Sequence, residues 1–211
     1  MAKYTPETLN ILSKNIKAND KIINQALALS INKTITFSKD LSVKFITQDV
    51  NLSPSYTRSK LKTAKRANPV NLVGIVRANT RETLLTRYPT QETKDGVRVA
   101  INKSTGFKMI KRAFRVTNLK GSSASGVAMK NRDVVNAFRA ALSPATPGKR
   151  RKLQRLIRNA RVNPRGITVL HSRSINQLFT SVRVDVQPRS FRYAAEEFIM
   201  DVFRLQAKNN G

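Results

Sequence analysis

The sequence predicts an α+β fold: a helical N-terminal arm, a small antiparallel β-sheet with packed helices, and a helical C-terminal section. Three observations predict it. Apolar residues recur at helical spacing up to residue 49 and again after residue 174. Branched apolar residues alternate between residues 70 and 130. Pro, Asn and Gly breakers divide these textures, and the predicted division is an N-terminal helical region, 1–68, and an α+β body with C-terminal helices, 69–211.

Thr5, Pro6 and Glu7 open the first expected helix as cap, first residue and first-turn acid, followed by Leu9, Leu12 and Ile16. Asn19 and Asp20 offer a second cap. Ile23, Leu27, Ile31 and Ile35 then recur every fourth residue, a pattern that continues to Asp49 unless Thr34, Thr36 and Phe37 interrupt it. Ser53 and Pro54 start a helix that Asn68-Pro69 ends. Strand texture follows in "VNLVGIVRA" (Val70 to Ala78) and in "GVRVAINK", where Val97, Val99 and Ile101 share a face. "FKMIKRAFRVTNL" and "GVAMK" flank the loop "KGSSASG", which suits a hairpin between Arg115 and Lys130. "NRDVVNAFRAAL" is helical, "SPATPG" breaks it, and the cationic "KRRKLQRLIRNARVNPRG" follows with a narrow stripe of Leu153, Leu156 and Ile157. "ITVL" is a short strand. Ser174 caps a helix with Ile175, Leu178, Phe179, Val182 and Val186 inward; Gln187-Pro188 ends it, and a last helix carries Phe191, Ala195, Phe198, Val202 and Phe203.

Charge is the dominant property of these 211 residues. Forty Lys and Arg face twelve Asp and Glu, a formal charge of +28. Val50 to Arg81 and Val134 to Val184 contain no acid, so the basicity belongs to the folded body and not to a tail. Such a surplus implies a negatively charged partner, nucleic acid or an acidic protein surface. A hydrophobic content of 40% argues against disorder. No apolar run approaches the ~18 residues of a membrane span, so no membrane partner is expected. The N-terminus lacks the apolar core of a secretory signal. With no cysteine, disulfides and thiolate metal sites are excluded.

Enzyme chemistry is not expected. His171, the single histidine, has no neighbouring ligand or triad pattern, and "KGSSASG" lacks the ending of a phosphate-cradling loop. No metal-ligand spacing occurs, and neither metal nor cofactor is expected. Glu197 and Asp201, four residues apart, are expected to offset Arg192 and Arg204.

Two basic clusters are the candidate contact sites. In "SPSYTRSKLKTAKRANP" (Ser53 to Pro69), Arg58, Lys62 and Lys65 lie on one face of the expected helix with Arg66 adjoining. The turn and helix order resembles a helix-turn-helix, but a base-reading helix needs Asn, Gln or Arg at its N-terminal end, and only Arg58 is well placed. A docking helix is the better reading. The second cluster, Lys149, Arg150, Arg151, Lys152, Arg155, Arg158, Arg161 and Arg165, is denser and Arg-rich, which favours bidentate phosphate or carboxylate contacts. Its alternative is a basic loop that orders only within an assembly.

The chain resembles the minor tail protein Z, or tail completion, family of long-tailed bacteriophages. The likeness is one of layout over nearly the whole length: "ALSINK" (Ala28 to Lys33) in an N-terminal helical region, the basic segment Ser53 to Pro69 feeding a strand, the hairpin "FKMIKRAFRVTNLKGSSASGVAMKN", and two terminal helices. This chain places its densest Arg/Lys run at Lys149 to Arg165, away from the hairpin. The resemblance implies a structural virion protein at the head-proximal end, or neck, of the tail. Implied partners are the tail terminator, the tail tube, the head–tail connector and, non-specifically, the end of the genomic DNA, met by a homo-oligomeric ring. Six copies of +28 make about +168, whereas ~40–50 Å of duplex carries only about 25–30 phosphates. Acidic neighbouring proteins are therefore expected to take much of the charge. The alternative is a soluble basic nucleic-acid-binding protein of ribosomal or nucleoid type, which would hold DNA or RNA as a free protein with steep salt dependence.

Overall fold

The structure, a computed structural model, describes residues 20–119, 124–140, 147–163 and 166–209. The helix expected from Thr5, most of the "KGSSASG" loop and Arg165 lie outside the described residues. Among the described residues all strand pairing is antiparallel, in four small sheets set among helices, so the fold class is α+β as the sequence predicts. The contacts divide the chain into two compact units that interleave along the sequence, whereas the division at residue 68 runs along it. One unit comprises 20–46, 54–80 and 175–209; the other comprises Thr47–Ser53 and Arg81–Ser174.

The first unit is organised on α1, a single helix from Asp20 to Asp49 whose last three residues belong to the other unit. Thr34 and Thr36 do not interrupt it. Their hydroxyls, with those of Ser30 and Ser42, donate to carbonyls three or four residues back, so each polar group is satisfied within the helix. Ile22, Ala26, Ser30, Ile35, Val43 and Ile46 are buried on several sides of α1, which explains its weak amphipathicity.

The helix expected from Ser53 to Pro69 is shorter than the sequence suggests. α2 spans Pro54–Lys60 and gives way directly to strand β1, Leu61–Lys65. β1 pairs with β2, Ile75–Ala78, in the register Leu61↔Ala78, Lys62↔Arg77 and Thr63↔Val76. Burial of Leu61 at 2% exposure and the ladder hydrogen bonds outweigh the local helical preference of "SKLKTAK". "VNLV" forms no strand; it belongs to the loop back to β2. Asn32 of α1 clamps that loop, its Nδ2 donating to the Ala67 carbonyl at 2.8 Å and its Oδ1 accepting from the Ala67 N–H at 3.0 Å. Gly74 passes so close to α1 that a Cβ there would meet Ile35 Cδ1 at 2.3 Å.

At the C-terminal end α5, Ile175–Ser181, leads through Val182 into α6, Arg183–Asn209. The interruption falls at Val182, not at Gln187-Pro188, and Pro188 lies inside α6. The carbonyl four residues before it belongs to Val184, which is exposed, so water can serve the acceptor that proline leaves unpaired. Ile175, Leu178, Val182 and Val186 are buried as expected, while Phe191 is exposed.

In the second unit, β3 (Thr83–Leu84) pairs with β10 (His171–Ser172), and a short 3-10 turn, Leu85–Arg87, follows β3. β4 (Thr90–Thr93), β5 (Gly96–Val99) and β6 (Lys108–Lys111) form a meander. Val97 and Val99 are buried as their alternation predicts. The run "FKMIKRAFRV" is two strands, because Arg112 adopts φ 61 and turns the chain between β6 and β7, Phe114–Val116. The hairpin predicted between Arg115 and Lys130 is present, with Arg115 opposite Val127 on β8, Gly126–Lys130. β8 also pairs with β9, Ile167–Val169. As the central strand of its ladder, β8 buries four successive residues instead of alternating. α3, Asn131–Ala140, and α4, Pro147–Val162, pack on each other. Asn131 ties their base, donating from its backbone to Gly166 O at 2.7 Å and from Nδ2 to Asn163 O at 3.0 Å.

Candidate polyanion-contact surfaces

Glu197 and Asp201 of the C-terminal helix are committed to structure. α1 and α6 run antiparallel, as successive contacts show: Ala26 with Val202, Lys33 with Glu197 and Asp201, Phe37 with Tyr193, Ser38 with Ser190, and Phe45 with Arg189. Lys33 Nζ donates to Glu197 Oε2 at 2.7 Å and to Asp201 Oδ1 at 2.5 Å. Asp201 is fully buried and also accepts from Arg204 at 3.2 Å. Arg192 pairs with Glu196 instead of Glu197. Burial opposes the charge on Lys33, but its hydrogen bonds to Asp201 and Glu197 outweigh that and hold its pKa above the ordinary value. The Lys33 hydrogen bond holds Glu197 below the usual carboxylate range despite burial. Burial, with the Glu197 carboxylate beside it, raises the Tyr193 hydroxyl, whose ring stacks on Phe37 at 4.2 Å between centroids.

His171 Nδ1 stands 4.0 Å from Glu82 Oε2 on a strand edge. Among the described residues no group of three or more His, Cys, Asp or Glu converges, and no helix is long and apolar enough to cross a membrane.

The first basic cluster is only partly brought together. Arg58 lies on α2 and is engaged by Asp40 Oδ1 at 2.6 Å, an exposed pair. Lys62 and Lys65 are on β1, with Arg66 just beyond it, so the expected helical face does not form. The ladder brings in residues the sequence reading did not include. Arg77 stands directly opposite Lys62. A shallow hollow of about 370 Å³ is lined by Ser59, Lys60, Lys62, Arg77, Ala78 and Asn79. Arg77 was missed because it sits inside an apolar segment whose pairing register the sequence does not display.

The second cluster is a helix. Lys149, Arg150, Arg151, Lys152, Arg155, Arg158 and Arg161 all lie exposed on α4, and α4 buries no residue fully. Leu153, Leu156 and Ile157 are half-buried. Lys152 Nζ approaches the Phe138 ring of α3 at 5.8 Å. Among the described residues none of the seven cations has a carboxylate within 4.0 Å. Lys149 and Arg150 lie in the first turn of the helix, where the positive end of the helix dipole disfavours cations. Arg151 and Arg155 repel at i,i+4 spacing.

No family model, curated protein sequence or solved structure matches the chain.

Proposed function

We propose that the chain is a structural virion protein of a long-tailed phage, a tail completion or neck component at the head-proximal end of the tail, and not an enzyme. It works there as one subunit of a ring, between acidic faces of neighbouring tail proteins and the DNA end that it contacts without sequence preference. The observation that carries this reading is α4, a helix whose seven exposed cations have no acid partner and whose charge opposes its own stability. An arrangement of that kind is stabilised by negative matter supplied from outside. The layout resemblance adds the tail as the place where such matter is dense. Two acids of α6 support the non-enzymatic reading, because Glu197 and Asp201 are held by Lys33.

The test is recovery of the chain with purified phage particles at a fixed copy number, together with the variant Arg150→Glu/Arg151→Glu/Arg155→Glu. The expected result is a folded variant that fails to enter particles or leaves them unable to deliver DNA. Normal infectivity of the variant would remove α4 from the contact surface. Absence of the chain from particles would overturn the reading altogether.

A further inference from the structure

We propose that the β1–β2 face is a seat for the phosphodiester backbone of DNA, with Lys60, Lys62 and Arg77 around the hollow and Lys65 and Arg66 continuing the track. The assignment rests on the DNA-contact part of the functional reading and deepens it, since it says which surface meets DNA and which residues hold it.

The register is the first argument. Lys62 and Arg77 are directly opposed across an antiparallel ladder, an arrangement that destabilises a sheet when nothing negative lies between the two side chains. Among the described residues no carboxylate lies within 4.0 Å of Lys60, Lys62, Lys65, Arg66 or Arg77. Asp40 of α1, the acid that reaches α2, is taken by Arg58.

Shape is the second argument. The hollow is lined by Ser59, Lys60, Lys62, Arg77, Ala78 and Asn79, with no large apolar side chain. Tight protein interfaces are anchored by aromatic or large apolar groups in pockets, which this lining lacks. The cations from Lys62 to Arg66 extend over roughly 13 Å of chain at strand spacing. A repeating polyanion can follow such a track, and its phosphates need only point charges and N–H donors of the kind Lys and Arg supply. Main-chain bonds fix two of the hollow's lining residues: Asn79 N donates to Lys60 O, and Asn176 N donates to Asn79 O, each at 3.0 Å.

The experiment is binding of a labelled duplex of arbitrary sequence by the full chain, titrated across salt, for the wild type and for Lys62→Gln/Arg77→Gln. Each lost phosphate contact reduces the slope of log K against log salt by about 0.9, so the double variant should bind with a slope shallower by about 1.8. Its melting temperature should equal or exceed that of the wild type, because the opposed charges are gone. A wild type that binds steeply with salt alongside a double variant of unchanged slope overturns the seat and leaves DNA contact elsewhere on the molecule. A wild type that shows no salt-dependent duplex binding overturns both. If the double variant loses poly-glutamate binding but keeps duplex binding, the face belongs to an acidic protein, and the proposal fails. Competition by inorganic phosphate as effective as by duplex, per phosphate, would assign the hollow to the free ion and also overturn it.

Discussion

Replacing Lys33 by Met keeps the aliphatic stem of the side chain and removes its charge. The effect follows from what the charge holds. Lys33 Nζ serves Glu197 at 2.7 Å and Asp201 at 2.5 Å. Asp201 is fully buried, and its Oδ2 has no hydrogen-bond partner among the described residues. Removing one partner of a buried ion pair costs about 3–5 kcal/mol when the remaining charge stays uncompensated. Arg204 remains on Asp201 at 3.2 Å, and Glu197 retains about a quarter of its side-chain exposure, so the lower end applies. The expected loss is about 3 kcal/mol, or roughly 6–12 °C in Tm for a chain of this size. Calorimetry at neutral pH reads it directly. The double variant Lys33→Met/Asp201→Asn removes the orphaned charge and should recover at least about half of the loss. Acid titration gives a second reading. Glu197 has its folded pKa depressed, so its contribution is present above the ordinary value of 4.5 and disappears as pH falls through the lower folded value. The wild type therefore loses stability in that window, and Lys33→Met loses less of it. A Lys33→Met protein that melted within about 1 °C of the wild type, with the same acid profile, would show that Lys33 does not hold these acids in place.

Three further outcomes are expected. Gly96→Ala should destabilise by about 2–3 kcal/mol in urea unfolding, because φ is +151° and a Cβ would stand 2.2 Å from the Ile110 carbonyl oxygen. Asn32→Ala removes both hydrogen bonds to Ala67, so it should cost about 2 kcal/mol and speed amide exchange at Ala67, as hydrogen-exchange mass spectrometry would show. Arg150→Glu/Arg151→Glu/Arg155→Glu should leave Tm at or above that of the wild type, since the three side chains are exposed and Glu suits the first turn of α4 better than Arg, so any defect in particles is not one of folding.

Where local chemistry decided the structure, the sequence was legible. The alternation of Val97 and Val99, the hairpin from Arg115 to Lys130 and the buried face from Ile175 to Val186 could be read from spacing alone. Where distant segments decided it, the reading went astray. β1 replaces the second half of an apparent helix because a partner strand ten residues further on takes its backbone bonds. Pro188 looks like a terminator, yet it lies inside α6 one turn after the exposed Val184. The same distinction governs the candidate sites. The exposure of the α4 cations could be foreseen from their density, whereas the ligand of Glu197 and Asp201 lies 164 and 168 residues away. Arg77 could not be placed beside Lys62 without the register.

The interleaving of the two units has a consequence for synthesis on the ribosome. Residues 81–174 form one continuous stretch of their unit, missing only the segment 47–53 already made, and so can fold while the chain is still growing. α1 emerges before that stretch, yet Ala26, Lys33 and Phe37 wait for Val202, Asp201 and Tyr193. Until α6 arrives, α1 carries an uncovered apolar flank and an unneutralised lysine, and closing that long loop costs chain entropy. Premature termination just after residue 174 should thus yield a folded middle joined to a sticky front end, the species a chaperone would be called on to guard.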